Sequence, residues 1–247
     1  MKKIYILIAI IFTTTALSAQ SLQDAAEAYS NENYSEAIKI YESLSDSLGV
    51  SSELYYNLGN SYYKLKQYPK AILNYERALL LSPGDDDIKV NLELARANIV
   101  DKIDVVDRSF ISIWFEGLRN ITTSNSWAIL AIATFVLFLL GVLVYIFGNN
   151  VVLKKIGFFG GLLLLLVSIY ANVASYKQKQ KILERNTAIV ISPSVTIKSS
   201  PSDSGTELFI LHEGTKVEIT DKMGEWKEVK IEDGNRGWIK NDDIEII

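Results

Sequence analysis

The sequence predicts a multidomain membrane protein in three parts: an all-α helical-repeat solenoid, a two-helix transmembrane hairpin and a small all-β barrel. A 34-residue internal offset, with small and aromatic residues at fixed places, marks the solenoid. Two uncharged runs, each about 20 residues as a spanning helix requires, mark the hairpin. From Asn186 onward the apolar residues alternate with period two between Gly, Asp and Pro turns, which marks the barrel.

The chain has 247 residues and opens with "MKKIYILIAIIFTTTALSAQ". Lys2 and Lys3 form a basic start, Ile4 to Phe12 an apolar centre, and Leu17-Ser18-Ala19 a small-residue exit, the pattern of a secretory signal peptide over residues 1–19. An uncleaved anchor is the alternative reading. There is no cysteine, which excludes disulfides, thiolate chemistry and an N-terminal lipid on cysteine. The net charge is −4, and Asp and Glu outnumber Lys and Arg between Ser21 and Ser124, so no nucleic-acid partner is expected.

Residues 20–106 carry the repeat. "NYSEAIKIYESL" from Asn33 aligns with "QYPKAILNYERA" from Gln67, pairing Tyr34 with Tyr68, Ala37 with Ala71 and Tyr41 with Tyr75. Small residues at Gly59, Ala71 and Ala78 let antiparallel helices cross closely, while Tyr55, Tyr62 and Tyr75 fill the space between neighbouring pairs. Pro83-Gly84 stops one helix, and Asp85, Asp86 or Asp87 caps the next, "DIKVNLELARANIVDKI". A metal at "DDD" is the weaker alternative, because adjacent carboxylates suit the helix dipole.

Tyr55, Leu58, Gly59, Tyr62, Ala71, Tyr75, Ala78 and Pro83 stand in the packing positions of the tetratricopeptide repeat, which residues Ser52 to Asp85 closely resemble. In the first unit Ala25 and Ala28 replace the glycine and the first-helix aromatic. The resemblance implies a concave surface lined by first helices, here Tyr29, Tyr56, Asn60, Tyr63 and Lys64, as the candidate protein-binding face; an ordinary exposed helix face is the alternative. The lysine-and-asparagine cluster that clamps a C-terminal carboxylate in some such repeats is missing here. Two repeats and a capping helix are fewer than solenoids usually need, so the array is expected to lean on a partner.

Residues 107–126 form an amphipathic linker with Phe110, Ile113, Trp114, Leu118 and Ile121 on one helical stripe. A helix lying in the membrane interface, a partner-binding helix and burial against the last repeat helix all fit that stripe. Transmembrane helices follow at 127–147 and 156–176, joined by a loop at 148–155 that contains Lys154 and Lys155. If the signal exports the N-terminal part, that loop is cytoplasmic and both flanking domains are periplasmic. Lys177, Lys179, Lys181 and Arg185, just after the second span, argue for the reverse orientation. Gly157 and Gly161 form a G-x-x-x-G pair that serves self-dimerisation or, the favoured reading, packing against the first span near Gly141.

After a polar linker at 177–185, residues 186–247 carry "VTIKSSP", "LHEGTKVEI" and "EWKEVKIEDGNRGWIK", which resemble the bacterial SH3-like domain. Asp233-Gly234 suits a tight hairpin, and Gly237 is expected to let a strand bend so that Trp238 covers the barrel end. Lys198 stands where the family usually has arginine, which weakens bidentate recognition there. Trp226 and Trp238 are expected first in the barrel core, with stacking on a sugar or peptide as the alternative. His212, the sole histidine, has no fixed carboxylate nearby in sequence and is read as structural or surface.

No phosphate-binding loop, nucleophile elbow, zinc-helix motif or paired acid/base scaffold occurs, so neither catalysis nor a cofactor is expected. In this order the modules resemble the tetratricopeptide member of the Bat aerotolerance family. The resemblance implies an inner-membrane scaffold in complex with Bat proteins bearing von Willebrand factor A domains and a MoxR-type ATPase, linked to aerotolerance or envelope stress. A membrane-anchored peptidoglycan-binding module is the alternative.

Overall fold

The structure is a computed structural model that describes residues 22–103 and 109–247. The expected signal peptide lies outside the described residues. The chain divides into two compact units: one joins the repeat region to the C-terminal module from Arg185, and the other runs mainly from Arg108 to Glu184.

The first unit begins with helix α1 (22–30), then α2 (Tyr34–Leu48), α3 (Ser52–Lys64), α4 (Tyr68–Leu81) and α5 (Asp86–Arg96). Ser51 caps α3 by accepting from the Leu54 amide, and Asp85 caps α5 by accepting from the Asp87 and Ile88 amides at 3.1 and 3.3 Å. The dipole reading of "DDD" is therefore the one the backbone adopts. The 34-residue offset reappears as geometry. Tyr29 meets Tyr34 edge-on with ring centroids 5.2 Å apart, and Tyr63 meets Tyr68 edge-on at 5.6 Å. Between each pair the chain turns through a left-handed residue, Glu32 (φ 61°) and Lys66 (φ 60°). Ala37 and Ala71 are fully buried, as are Tyr41 and Tyr75 nearly so. Ala25 takes the buried place of Gly59, so the described part of the first repeat packs as the second does despite its weaker pattern.

The same unit contains seven antiparallel strands: β1 (Thr187–Val190), β2 (Ser194–Lys198), β3 (Glu207–His212), β4 (Lys216–Met223), β5 (Trp226–Lys230), β6 (Arg236–Lys240) and β7 (Ile244–Ile246). The expected small barrel takes the form of one open, continuous sheet in the order β3-β2-β6-β5-β4-β1-β7. Its core is aliphatic: Ala188, Val190, Ile197, Leu211, Val217, Val229 and Ile239 are buried. The β5–β6 hairpin turns at Gly234 (φ 92°), with the Asp233 carboxylate accepting from the Asn235 amide at 2.8 Å.

The second unit contains α6 (Phe110–Arg119), α7 (Ser124–Phe147) and α8 (Val151–Glu184). Among the described residues α7 and α8 are the helices long and apolar enough to cross a membrane. Each extends past the span expected for it. Residues 151–155, expected as loop, and 177–184, expected as linker, are turns of α8. A Cβ on Gly157 would lie 2.7 Å from the Gly141 carbonyl oxygen, so this G-x-x-x-G pair packs within the hairpin. Toward the other end Ser168 donates to the Ala131 carbonyl at 2.8 Å, and Trp127, Ala131, Ala171 and Ala174 form a small buried cluster.

Candidate functional site

The candidate protein-binding face of the repeat lies on α1 and α3, with α5 beside them. Gly59 brings α3 against α4 so closely that a Cβ there would lie 2.6 Å from the Tyr75 ring. This places the buried Tyr75 hydroxyl 2.8 Å from Asn60 Oδ1, to which it donates. Asn91 of α5 donates to the Tyr56 hydroxyl at 2.7 Å and more weakly to Asn60 at 3.3 Å. Tyr75, Asn60, Asn91 and Tyr56 thus form one hydrogen-bonded ladder across the groove floor. Burial, with the neighbouring tyrosines Tyr56, Tyr29 and Tyr63, pushes the Tyr75 hydroxyl well above the ordinary phenol range. Its proton is permanent at physiological pH, which fixes it as the donor and Asn60 as the acceptor.

The five candidate groove residues divide by role. Asn60 spends its carbonyl on the ladder and holds α3, α4 and α5 in register. Tyr56 is tied to α5. Tyr29 and Tyr63 are half-buried and braced edge-on by Tyr34 and Tyr68, and Lys64 is exposed. Asn91 belongs to this floor and was absent from the sequence reading; its place in "DIKVNLELAR", on the face of α5 that carries buried Ile88, Leu92 and Ala95, was the available signal.

The flank of the repeat formed by α4 is occupied by the chain's own β module. Glu76, 6% exposed, sits where α4 meets that module and receives Lys216 Nζ at 2.6 Å and Arg96 Nη2 at 2.5 Å. Burial alone raises the pKa of Glu76, but the two cations outweigh it and hold the carboxyl below its usual range. Beyond α5, Asp101 accepts from the His212 amide and the Thr215 hydroxyl, each at 2.7 Å, and its other oxygen lies 2.7 Å from His212 Nδ1. Arg77 donates to Glu245 at 3.0 Å and to the Ile246 carbonyl at 2.6 Å. Ile189 and Ile247 enter the repeat's apolar core, and Gly214 (φ 89°) lets Ile99 approach to where a Cβ would be 2.5 Å away.

At this junction His212 has the structural place expected of it, with its carboxylate partner supplied by Asp101 from 111 residues away. The short solenoid leans on a module of its own chain. The sequence signal for that was α4 itself: Ala71, Ile72, Leu73, Asn74, Tyr75, Glu76 and Ala78 are all buried, and a helix covered on every side must lie between two layers.

The tryptophans are placed differently from expectation. Both are half-buried and neither belongs to the aliphatic core of the sheet. The β5–β6 register pairs Trp226 with Lys240 and Glu228 with Trp238, which puts both rings on the outer face, since Gly237 and Ile239 point inward. Lys240 Nζ lies 5.3 Å from the Trp226 centroid. Gly237 faces the interior, where a Cβ would lie 2.4 Å from Ile197 Cγ2. Lys198 is paired with Glu207 at 3.0 Å. Among the described residues no cluster of three or more His, Asp or Glu side chains is arranged to hold a metal ion.

Comparison with protein families finds two matches along the chain. Residues 52–85 match the tetratricopeptide repeat. Residues 193–245 match the bacterial SH3 domain. No curated protein matches the chain. The matched modules are binding modules without catalytic machinery, one for proteins and the other for the cell wall.

Proposed function

We propose that this chain is a membrane-anchored docking scaffold that presents a fused repeat and SH3-like body on the outer side of the bacterial inner membrane and grips a protein partner in the groove of Tyr29, Tyr56, Tyr63 and Lys64. The observation that carries this reading is the ladder Tyr75–Asn60–Asn91–Tyr56, which fixes the groove floor in advance of any ligand. Two crossings between the repeat and the SH3-like module would return the chain to the side it left, and the shared junction at Glu76 supports that arrangement. One of the cations after the second span, Lys181, lies 3.4 Å from Glu116, so it is not a free charge in the topological balance. The resemblance to the Bat aerotolerance family supports a finer assignment, in which the partners are Bat proteins with von Willebrand factor A domains in an envelope-stress complex.

Co-purification from solubilised membranes tests the groove. Tyr29→Ala with Tyr63→Ala should lose a stoichiometric protein partner while leaving the ladder intact; unchanged recovery overturns the assignment. A second reading, peptidoglycan binding, is favoured by the outward Trp226 and Trp238 together with the SH3 match. Retention of the full chain on purified cell wall, abolished by Trp226→Ala with Trp238→Ala, supports that reading, and no retention removes it. The full chain is the proper reagent, because an isolated SH3-like segment exposes Ile189 and Ile247.

A further inference from the structure

The helix α6 has no buried residue, yet Phe110, Ile111, Ile113, Trp114 and Phe115 are all large and apolar, with Phe110 79% and Trp114 55% exposed. Helical spacing gathers these with Leu118 on one broad side and leaves Ser112, Glu116 and Arg119 on the other.

Its position within the second unit is held by polar contacts. The carbonyl of Arg119 accepts from Trp127 Nε1 at 2.9 Å and from Gln178 Nε2 at 3.0 Å, and Ser124 Oγ lies 3.1 Å from the Ser175 carbonyl oxygen. These contacts pin the C-terminal end of α6 to the start of α7 and the late part of α8. At the same level a chain of rings runs from Trp114 to Phe115 (5.1 Å), to Tyr170 (6.0 Å) and to Trp127 (5.6 Å). Exposed Lys177 and Lys179 follow one turn beyond exposed Tyr176. Tryptophan and tyrosine over an apolar shaft, with lysines just outside, is the arrangement that suits a headgroup layer.

We propose that α6 is an interfacial lipid-binding helix whose apolar side enters the leaflet that α7 and α8 cross. This rests on the reading that those two helices span a membrane. A lipid surface is favoured as occupant because α6 joins, through the ring contact of Phe115 with Tyr170, two helices whose own apolar side chains are exposed, Ile129 at 69% and Leu163 at 63%. A protein groove would need to match only a helix of ten residues, and would leave that shared exposure without a cause. Lys177 and Lys179 add an attraction for anionic headgroups.

The absence of cysteine makes the test direct. Single variants Phe110→Cys, Trp114→Cys, Ser112→Cys, Leu163→Cys and Asp203→Cys are spin-labelled in the full chain and placed in phosphatidylcholine vesicles with and without phosphatidylglycerol. Power saturation with oxygen and a nickel chelate then reads depth. The labels at 110 and 114 should lie about 5–10 Å below the phosphates. The label at 112 should be shallower, that at 203 aqueous and that at 163 deep, with the lysine-side attraction drawing 110 and 114 deeper when phosphatidylglycerol is present. If 110 and 114 are as open to the chelate as 203 while 163 is deep, the lipid role of α6 is overturned and the membrane anchor stands. If 163 is aqueous as well, the anchor fails and this inference with it. If 110 and 114 are protected from both reagents, α6 is covered by protein and the lipid assignment is wrong.

Discussion

Glu76 and Lys216, separated by 140 residues of sequence and by both apolar helices, meet at 2.6 Å. Arg96 completes the site from the capping helix. A carboxylate this buried is tolerable only because two cations neutralise it, so the repeat and the SH3-like module behave as one body.

Lys216→Ala leaves Glu76 with Arg96 alone and should destabilise the first unit by about 2 kcal/mol. Adding Arg96→Ala strands the carboxylate and should cost more than the two single changes summed, because both act on the same group. Urea unfolding of the detergent-solubilised chain, followed by tryptophan fluorescence, measures both. An additive double variant would show that the cluster is not coupled.

The junction should weaken in acid. Burial raises the pKa of Asp101, but the His212 amide, the Thr215 hydroxyl and the His212 ring outweigh it and hold the carboxyl low, as Lys216 and Arg96 do for Glu76. Both folded-state values lie below those of the unfolded chain. In the window between them the unfolded state binds more protons, so stability rises with pH there. The contribution is full at neutral pH and is lost as pH falls below about 4, through the folded values. Unfolding midpoints at stepped pH check this, and Glu76→Gln with Asp101→Asn should flatten the slope.

Gly214→Ala meets two obstacles: a left-handed backbone and Ile99 Cγ2 at 2.5 Å. Together they should cost roughly 2–3 kcal/mol. Ile99→Ala in the same chain should recover the steric part and leave the backbone part. No recovery would mean that Ile99 is not the obstacle.

In the hairpin, Ser124 and Ser175 hydroxyls lie 3.4 Å apart. The double variant S124C/S175C should oxidise to a disulfide within one chain, visible as a faster-migrating monomer on non-reducing gels. Gly157→Leu should reduce that yield several-fold, since its side chain would enter the Gly141 backbone. Cross-linked dimers in place of compact monomers would favour association between chains.

The parts that the sequence disclosed most clearly are those set by short-range periodicity. Tyr29 with Tyr34 and Tyr63 with Tyr68 follow from a single offset, and the Asp85 cap follows from carboxylates at a helix start. The helix bounds that carry the five candidate residues were legible because the repeat fixes where its first helices fall. The junction was not, because Glu76, Asp101 and Arg77 find partners 140, 111 and 168 residues away, and no local pattern encodes a contact across two membrane-length helices. The two tryptophans misled for a related reason. Size alone suggested core, whereas strand parity relative to Gly237 and Ile239 sets them outside.

The wall that closes the repeat follows both long apolar helices in the sequence. Until residues beyond Arg185 have been synthesised, Ile72 and the acid at 76 lack the cover that the β module supplies. The finished fold of the repeat is thereby tied to synthesis of a distant part of the chain: a product that stops before Arg185 keeps an apolar flank bare, the kind of surface that chaperones and proteases recognise.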